Sequence, residues 1–144
     1  MSGQPVAVVI GATSKWQAVG RNTRLAHGHD IDDSDIPVAA RWGVGGAIAQ
    51  KFASQGFFVA LTTRSADNAT ALETAIRDQG HRAMTVELDL VSEDSIAQAF
   101  AEVRAKAGEP DVVVLNAGYL EGRDLPPDQE LLEHIPVEMF ETAQ

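Results

Sequence analysis

The sequence predicts an α/β fold built on a doubly wound parallel sheet, and three observations carry that reading. Short apolar runs occur that do not alternate with polar residues; helical periods separate them; and a glycine-rich turn follows the first run. Unbroken apolar strands belong to sheets covered on both faces. Strand and helix patterns that take turns along the chain imply right-handed βαβ units. The expected architecture is therefore three α/β/α layers around a sheet of order 3-2-1-4.

Each element has its own signal. Val6, Ala7, Val8, Val9 and Ile10 form the first strand. After residues 15–42, Val44, Ile48 and Phe52 recur every four residues in a helix that Gln55-Gly56 ends. Residues 57–61 read as the second strand. Leu72 and Ile76 mark the second helix, with Ser65 as its N-cap and Gly80 as its stop. Residues 83–88 form the third strand. Ile96, Phe100 and Val103 mark the third helix, which Ser92 caps, which Glu93 and Asp94 suit at its positive end, and which Gly108 and Pro110 close. Residues 112–115 are the fourth strand, an apolar edge open to further pairing. Beyond Gly118 the pattern weakens to a turn at Leu125-Pro126-Pro127-Asp128, a short helix through His134 and another from Pro136. The expectation is one domain over 1–144, with an inserted loop 15–42, an incomplete segment 119–144 and a fold truncated after its fourth strand.

Composition narrows the function. A chain of 144 residues buries roughly 70% of its unfolded surface and needs no staples. With no cysteine, disulfides, thiolate zinc sites and thiol nucleophiles are excluded. Eleven basic against 21 acidic residues leave a net charge of −10, which disfavours nucleic acid and anionic membranes as partners. Seven of the acids, with Arg123 as the one base, fall between Glu121 and Glu141. No signal peptide or membrane span is evident, so the expected location is cytoplasmic.

The chemistry centres on the first strand-to-helix turn, where helix N–H groups and glycines receive a nucleotide phosphate. That turn is split by the 28 residues of 15–42. With these set aside, Gly11-Ala12-Thr13-Ser14-Gly43-Val44-Gly45 is one compact G-x-x-x-G-x-G motif of a Rossmann-like domain, or else a tight packing turn. Thr63 lies 24 residues after Gly11 once the insert is set aside, about where an acid binds the adenosine ribose in NAD sites. Thr63 is not acidic, and Arg64 follows it. Arginine can fork to a 2′-phosphate, so this position favours NADP over NAD; the alternative is an ordinary exposed arginine at a strand end.

Asp89 follows the third strand, and Asn116-Ala117-Gly118 follows the fourth. In that order, these features and the glycine turn resemble the short-chain dehydrogenase/reductase family. The resemblance covers nearly the whole chain outside 15–42 and 119–144. It implies that Gly11, Gly43 and Gly45 shape a pyrophosphate turn to which Thr13, Ser14 and Val44 also belong. It further implies that Asp89 and Leu90 contact the adenine, and that Asn116, with Ala117 and Gly118 beside it, braces the sheet next to the cofactor. Without the family, Asp89 reads as a helix cap and Asn116-Ala117-Gly118 as a strand-ending turn. The implied activity is hydride transfer between NADP(H) and a small-molecule carbonyl or alcohol, in a homo-oligomer.

Three departures matter. Leu115 stands where the family usually has an Asn, the insert is large, and the Tyr-x-x-x-Lys pair that moves the proton is absent. The one tyrosine, Tyr119, has Arg123 four residues on and stands a strand and a helix too early. No catalytic residue is assigned, and the rival reading is an inactive nucleotide-binding module. The insert carries further options: Trp16 and Trp42 clamping its base, Arg21 or Arg24 over the phosphates, or His27 and His29 with nearby aspartates around a metal. A solvated flap is the plain alternative, and no metal site is assigned.

Overall fold

The computed structural model describes residues 3–14, 17–18, 35–37 and 41–118. Along the chain run strand β1 (Val6–Ile10), helix α1 (Gly43–Ser54), strand β2 (Phe58–Thr63), a 3-10 turn (Ala66–Asn68) and helix α2 (Thr70–Asp78). Strand β3 (Arg82–Glu87), helix α3 (Glu93–Lys106) and strand β4 (Val112–Leu115) follow. The strands are parallel and lie in the order β3-β2-β1-β4, as the sequence predicts. Val8 sits at the middle of the sheet, paired with Ala60 on one side and Val113 on the other.

Strand periodicity sends alternate side chains to opposite faces, and the core divides accordingly. Val9, Val59, Leu61 and Ala83 meet Ala49 and Ala53 of α1 and Leu72 and Ile76 of α2. Val6, Val8, Ile10, Ala60, Met84 and Val86 meet Ala99 and Val103 of α3 on the other face. The result is a Rossmann-like three-layer arrangement. Burial on both faces holds throughout β1 and β2 but not in β4, where Val113 and Leu115 are exposed.

Three local expectations change. The second strand extends through Thr62 and Thr63, both buried, because β-branched threonine suits a strand and the Thr62 hydroxyl is satisfied by donating to the Val9 carbonyl at 3.1 Å. Ser65 is not the N-cap of α2. It precedes the 3-10 turn and makes no capping bond with its side chain, while the Ala66 N–H donates to Glu87 Oε1 at 3.0 Å. Helix α2 starts later, at Thr70.

The four-residue recurrence of Val44, Ile48 and Phe52 marks α1 as a helix but not its buried face. Val44 is 69% exposed, whereas Gly45, Gly46, Ala49 and Ala53 are buried. Small residues bring this helix close to the sheet. By contrast, the Ser92 cap of α3 stands as expected, its hydroxyl accepting from Ser95 N–H at 3.2 Å.

Leu61 is fully buried between β1, α1 and α2, whereas Leu115 is 70% exposed. Leu61→Ala should cost about 2–5 kcal/mol of unfolding free energy, as for other large-to-small core changes. Leu115→Ala should stay within about 0.5 kcal/mol. Urea unfolding of both variants checks the contrast.

Candidate functional site

All four strands point their C-terminal ends the same way, and the chain reverses its build direction between β1 and β4. In open α/β sheets the crevice at such a reversal is where ligands bind. Gly11 leaves β1 with φ +79°, a left-handed conformation, and both its N–H and that of Ala12 donate to the Thr62 carbonyl, at 3.2 and 3.0 Å. The turn is thereby locked to β2.

The other face of the turn is equally crowded. A methyl group on Gly11 would lie 2.6 Å from Ala117 Cα, and one on Gly45 would lie 2.7 Å from the Ala12 carbonyl oxygen and 2.8 Å from Asn116 Nδ2. Asn116 Nδ2 itself donates to the Gly11 carbonyl at 3.0 Å, and Asn116 N–H donates to the Ile10 carbonyl at 2.9 Å. Gly11, Gly45, Asn116 and Ala117, which the sequence singles out from three separate segments, meet at one point. Gly43 also has positive φ, +68°, at the first turn of α1.

Thr13, in the same turn, is 7% exposed, and its hydroxyl has no hydrogen-bond partner among the described residues. A buried hydroxyl left unpaired costs free energy, so such a group in a ligand crevice suits a bound acceptor such as a phosphate oxygen. Helix α1 starts against the same turn, with Gly45 packed on Gly11 and Ala12, and no acidic side chain stands in that helix's first turn.

The remaining candidates lie along the same edge. Arg64 follows β2 and is exposed, while Thr63 before it is buried and its hydroxyl accepts from Asn68 Nδ2 at 3.3 Å. Asp89 is not the cap of α3, since Ser92 fills that place. Its Oδ1 accepts from Val91 N–H at 3.2 Å, its own N–H donates to Ser95 Oγ at 2.9 Å, and these bonds leave Leu90 half-exposed on the surface. Ser14 is partly buried, and Gly118 is exposed.

Two contacts carry no motif in the sequence. Glu87 ties down the turn after Arg64 through the Ala66 N–H. Gln17, the first described residue of the insert, is 8% exposed and lies against Gly43. Trp42, at the insert's far end, is buried in the core against Gly46. Its expected partner Trp16 lies outside the described residues, as do Arg21, Arg24, His27, His29, Tyr119 and Arg123. Among the described residues no cluster of acids and histidines could hold a metal ion.

A family model described as enoyl-(acyl carrier protein) reductase matches residues 38–143, well over half of the chain. The chain belongs to the short-chain dehydrogenase/reductase family. Among family members, it is 37% identical over 86 residues to a cis-4-hydroxycyclohexanecarboxylate dehydrogenase of Sinomonas cyclohexanicum, an alignment covering 60% of this chain and 34% of that one. It is 42% identical over 77 residues to a 3-oxoacyl-(acyl-carrier-protein) reductase of Aquifex aeolicus, covering 53% of this chain and 31% of that one. A crystal structure of a metagenomic short-chain oxidoreductase in complex with NADP superposes with TM-score 0.56 at 32% identity, covering 80% of this chain and 39% of the other. The chain thus spans about a third of the length of the curated relatives it matches.

The crowding at Gly45 gives a direct test. Gly45→Ala should push α1 away from the turn and cost about 1–3 kcal/mol, in the range of overpacking. Gly3→Ala, with nothing within 4 Å, should be neutral. Thermal melting of the two variants reads the difference.

Proposed function

We propose that this chain is the cofactor-holding part of an NADP-dependent short-chain dehydrogenase/reductase acting on a small-molecule carbonyl or alcohol. The observation that carries the reading is the junction of Gly11, Gly45 and Asn116 at the β1–β4 reversal, where two glycines without side chains and the Asn116 carboxamide hold the turn tight. Bound there, NADP(H) supplies or accepts the hydride. The chain's own residues receive and orient it.

Gly11, Gly43 and Gly45 let a pyrophosphate come near the start of α1, whose N–H groups favour anions. Thr13 offers its unpaired hydroxyl, with Ser14 and Val44 completing the turn. Arg64 stands where a 2′-phosphate calls for a cation, and the preceding position carries the uncharged Thr63 in place of an acid. Asp89 holds the turn that presents Leu90 to an adenine ring, and Asn116, Ala117 and Gly118 wall the crevice on the β4 side. A related structure in complex with NADP supports the choice of cofactor. The names of the curated relatives, a hydroxy-acid dehydrogenase and an oxoacyl reductase, support carbonyl and alcohol chemistry.

A second reading, a nucleotide-binding module without turnover, is favoured by one observation. The chain's single tyrosine, Tyr119, has Arg123 rather than lysine four residues later, so the usual proton-moving pair is not in this sequence. Oxidation of NADPH by the purified chain across a panel of carbonyl compounds separates the two readings: turnover supports the enzyme, and binding without turnover supports the module.

The same proposal includes a cytoplasmic homo-oligomer that engages neither nucleic acid nor membrane. The net charge of −10 supports the exclusion of polyanions, and the exposed apolar side chains of β4 support self-association. Among the described residues no helix is long and apolar enough to cross a membrane.

NADPH should bind more tightly than NADH. Arg64→Ala should lose about 1.5–3 kcal/mol of NADPH binding, the scale of a hydrogen bond to a charged group, and leave NADH unchanged. Calorimetric titration measures both, and equal affinities of the unaltered protein for the two cofactors would remove Arg64 from the site.

A further inference from the structure

The glycine turn is interrupted between Ser14 and Gly43, and the first described residue of the interruption does not leave the turn. Gln17 N–H donates to the Ser14 carbonyl at 3.0 Å, which folds the chain back on itself directly after the turn. Its side chain, with only 8% of the residue exposed, is carried onto Gly43: a methyl group there would lie 2.5 Å from Gln17 Nε2, 3.4 Å from Cδ and 3.5 Å from Oε1. Gly43 is the middle glycine of the motif, the position at which a missing side chain lets backbone approach a pyrophosphate. The space that the glycine vacates is filled by a carboxamide from the insert.

We infer that Gln17 is a built-in competitor for the pyrophosphate, so that the dinucleotide binds only after this side chain has left Gly43. The inference rests on the NADP reading above and adds an affinity-determining residue to it. The physical basis is exclusion. A buried carboxamide packed on Gly43 and a phosphate brought against the same backbone need the same volume, and the helix start that attracts the phosphate also suits the amide's polar atoms. Apparent affinity then falls in proportion to the fraction of molecules in which the turn is clear. Trp42, buried in the core at the other end of the interruption, fixes the start of α1 while Gln17 swings, so clearing the turn leaves the sheet and its helices in place.

The test is titration of NADPH, followed by its own fluorescence and by calorimetry, into the unaltered protein and three variants. Gln17→Ala should bind NADPH roughly tenfold more tightly, the gain from freeing a site that is open about a tenth of the time. Gln17→Glu, of the same size but anionic at a helix start that favours negative charge, should bind more weakly than the unaltered protein. Deletion of 15–41, which removes Gln17 but keeps the core residue Trp42 before Gly43, should bind at least as tightly as Gln17→Ala. Far-ultraviolet circular dichroism and melting temperature establish that each variant is folded. Weaker binding by Gln17→Ala would make Gln17 a ligand of the cofactor and overturn the inference. Unchanged binding by Gln17→Ala together with tight binding by the deletion would overturn it while leaving the NADP reading intact. Absence of NADPH binding in all four proteins would remove both.

Discussion

The Asn116 carboxamide donates to the Gly11 carbonyl across the point where β1 and β4 end, and the upper edge of the sheet is arranged around that bond. For it to form, the turn after β1 must curl tightly enough to present its carbonyl sideways, which Gly11 achieves with positive φ. Helix α1 must then start against the same carbonyl, which only a residue without Cβ allows at position 45. The constraint runs further down the helix. Having been brought so near the sheet at Gly45, α1 continues with Gly46, Ala49 and Ala53 on its buried face. Larger side chains there would lift it off and break the contact at the turn.

This geometry bears on packing and on the proposed binding alike. The contacts that make the turn compact consume the outer surface of Gly11 and Gly45, yet leave the Thr13 hydroxyl buried with no partner among the described residues. A turn optimised for stability alone would pair that hydroxyl or replace it. An unpaired buried group at the mouth of a sheet reversal is the kind of local cost that proteins accept where a ligand completes the bonding.

Much of this was readable from residue pattern alone. The strand order follows from the alternation of elements, and β1 and β2 announce themselves because central parallel strands are buried on both faces and so carry unbroken apolar runs. The capping of α3 by Ser92 was legible because a cap acts within one turn of sequence. Ser65 misleads for the complementary reason: the turn after it is held by Glu87 through the Ala66 N–H, and Glu87 comes from β3, more than twenty residues away. The buried face of α1 was hidden because hydrophobicity points to Val44, Ile48 and Phe52, whereas a helix forced close to a sheet buries its smallest residues. At the junction, the glycines, Asn116 and Ala117 are legible because each belongs to a motif. Gln17 belongs to none, and its backbone bond to Ser14 is one that no periodicity encodes.

The position of the interruption explains why the fold tolerates it. Closing a loop of 28 residues instead of a few costs only about 0.6 kcal/mol for each doubling of length. The join lies between the end of a strand and the start of a helix, each held by its own tertiary contacts. Gly11 and Ala12 are bonded to Thr62, and Trp42 is sunk into the core beside Gly46, so both stubs are fixed whatever lies between them. Stability is therefore the wrong place to look for the effect of these residues. On the NADP reading the join is also where the backbone must stay bare for a phosphate, and the Gln17 side chain, folded back from the nearby stub, occupies the space over Gly43. If Gln17 competes with the pyrophosphate as inferred, an insertion that costs the fold little costs the site a good deal.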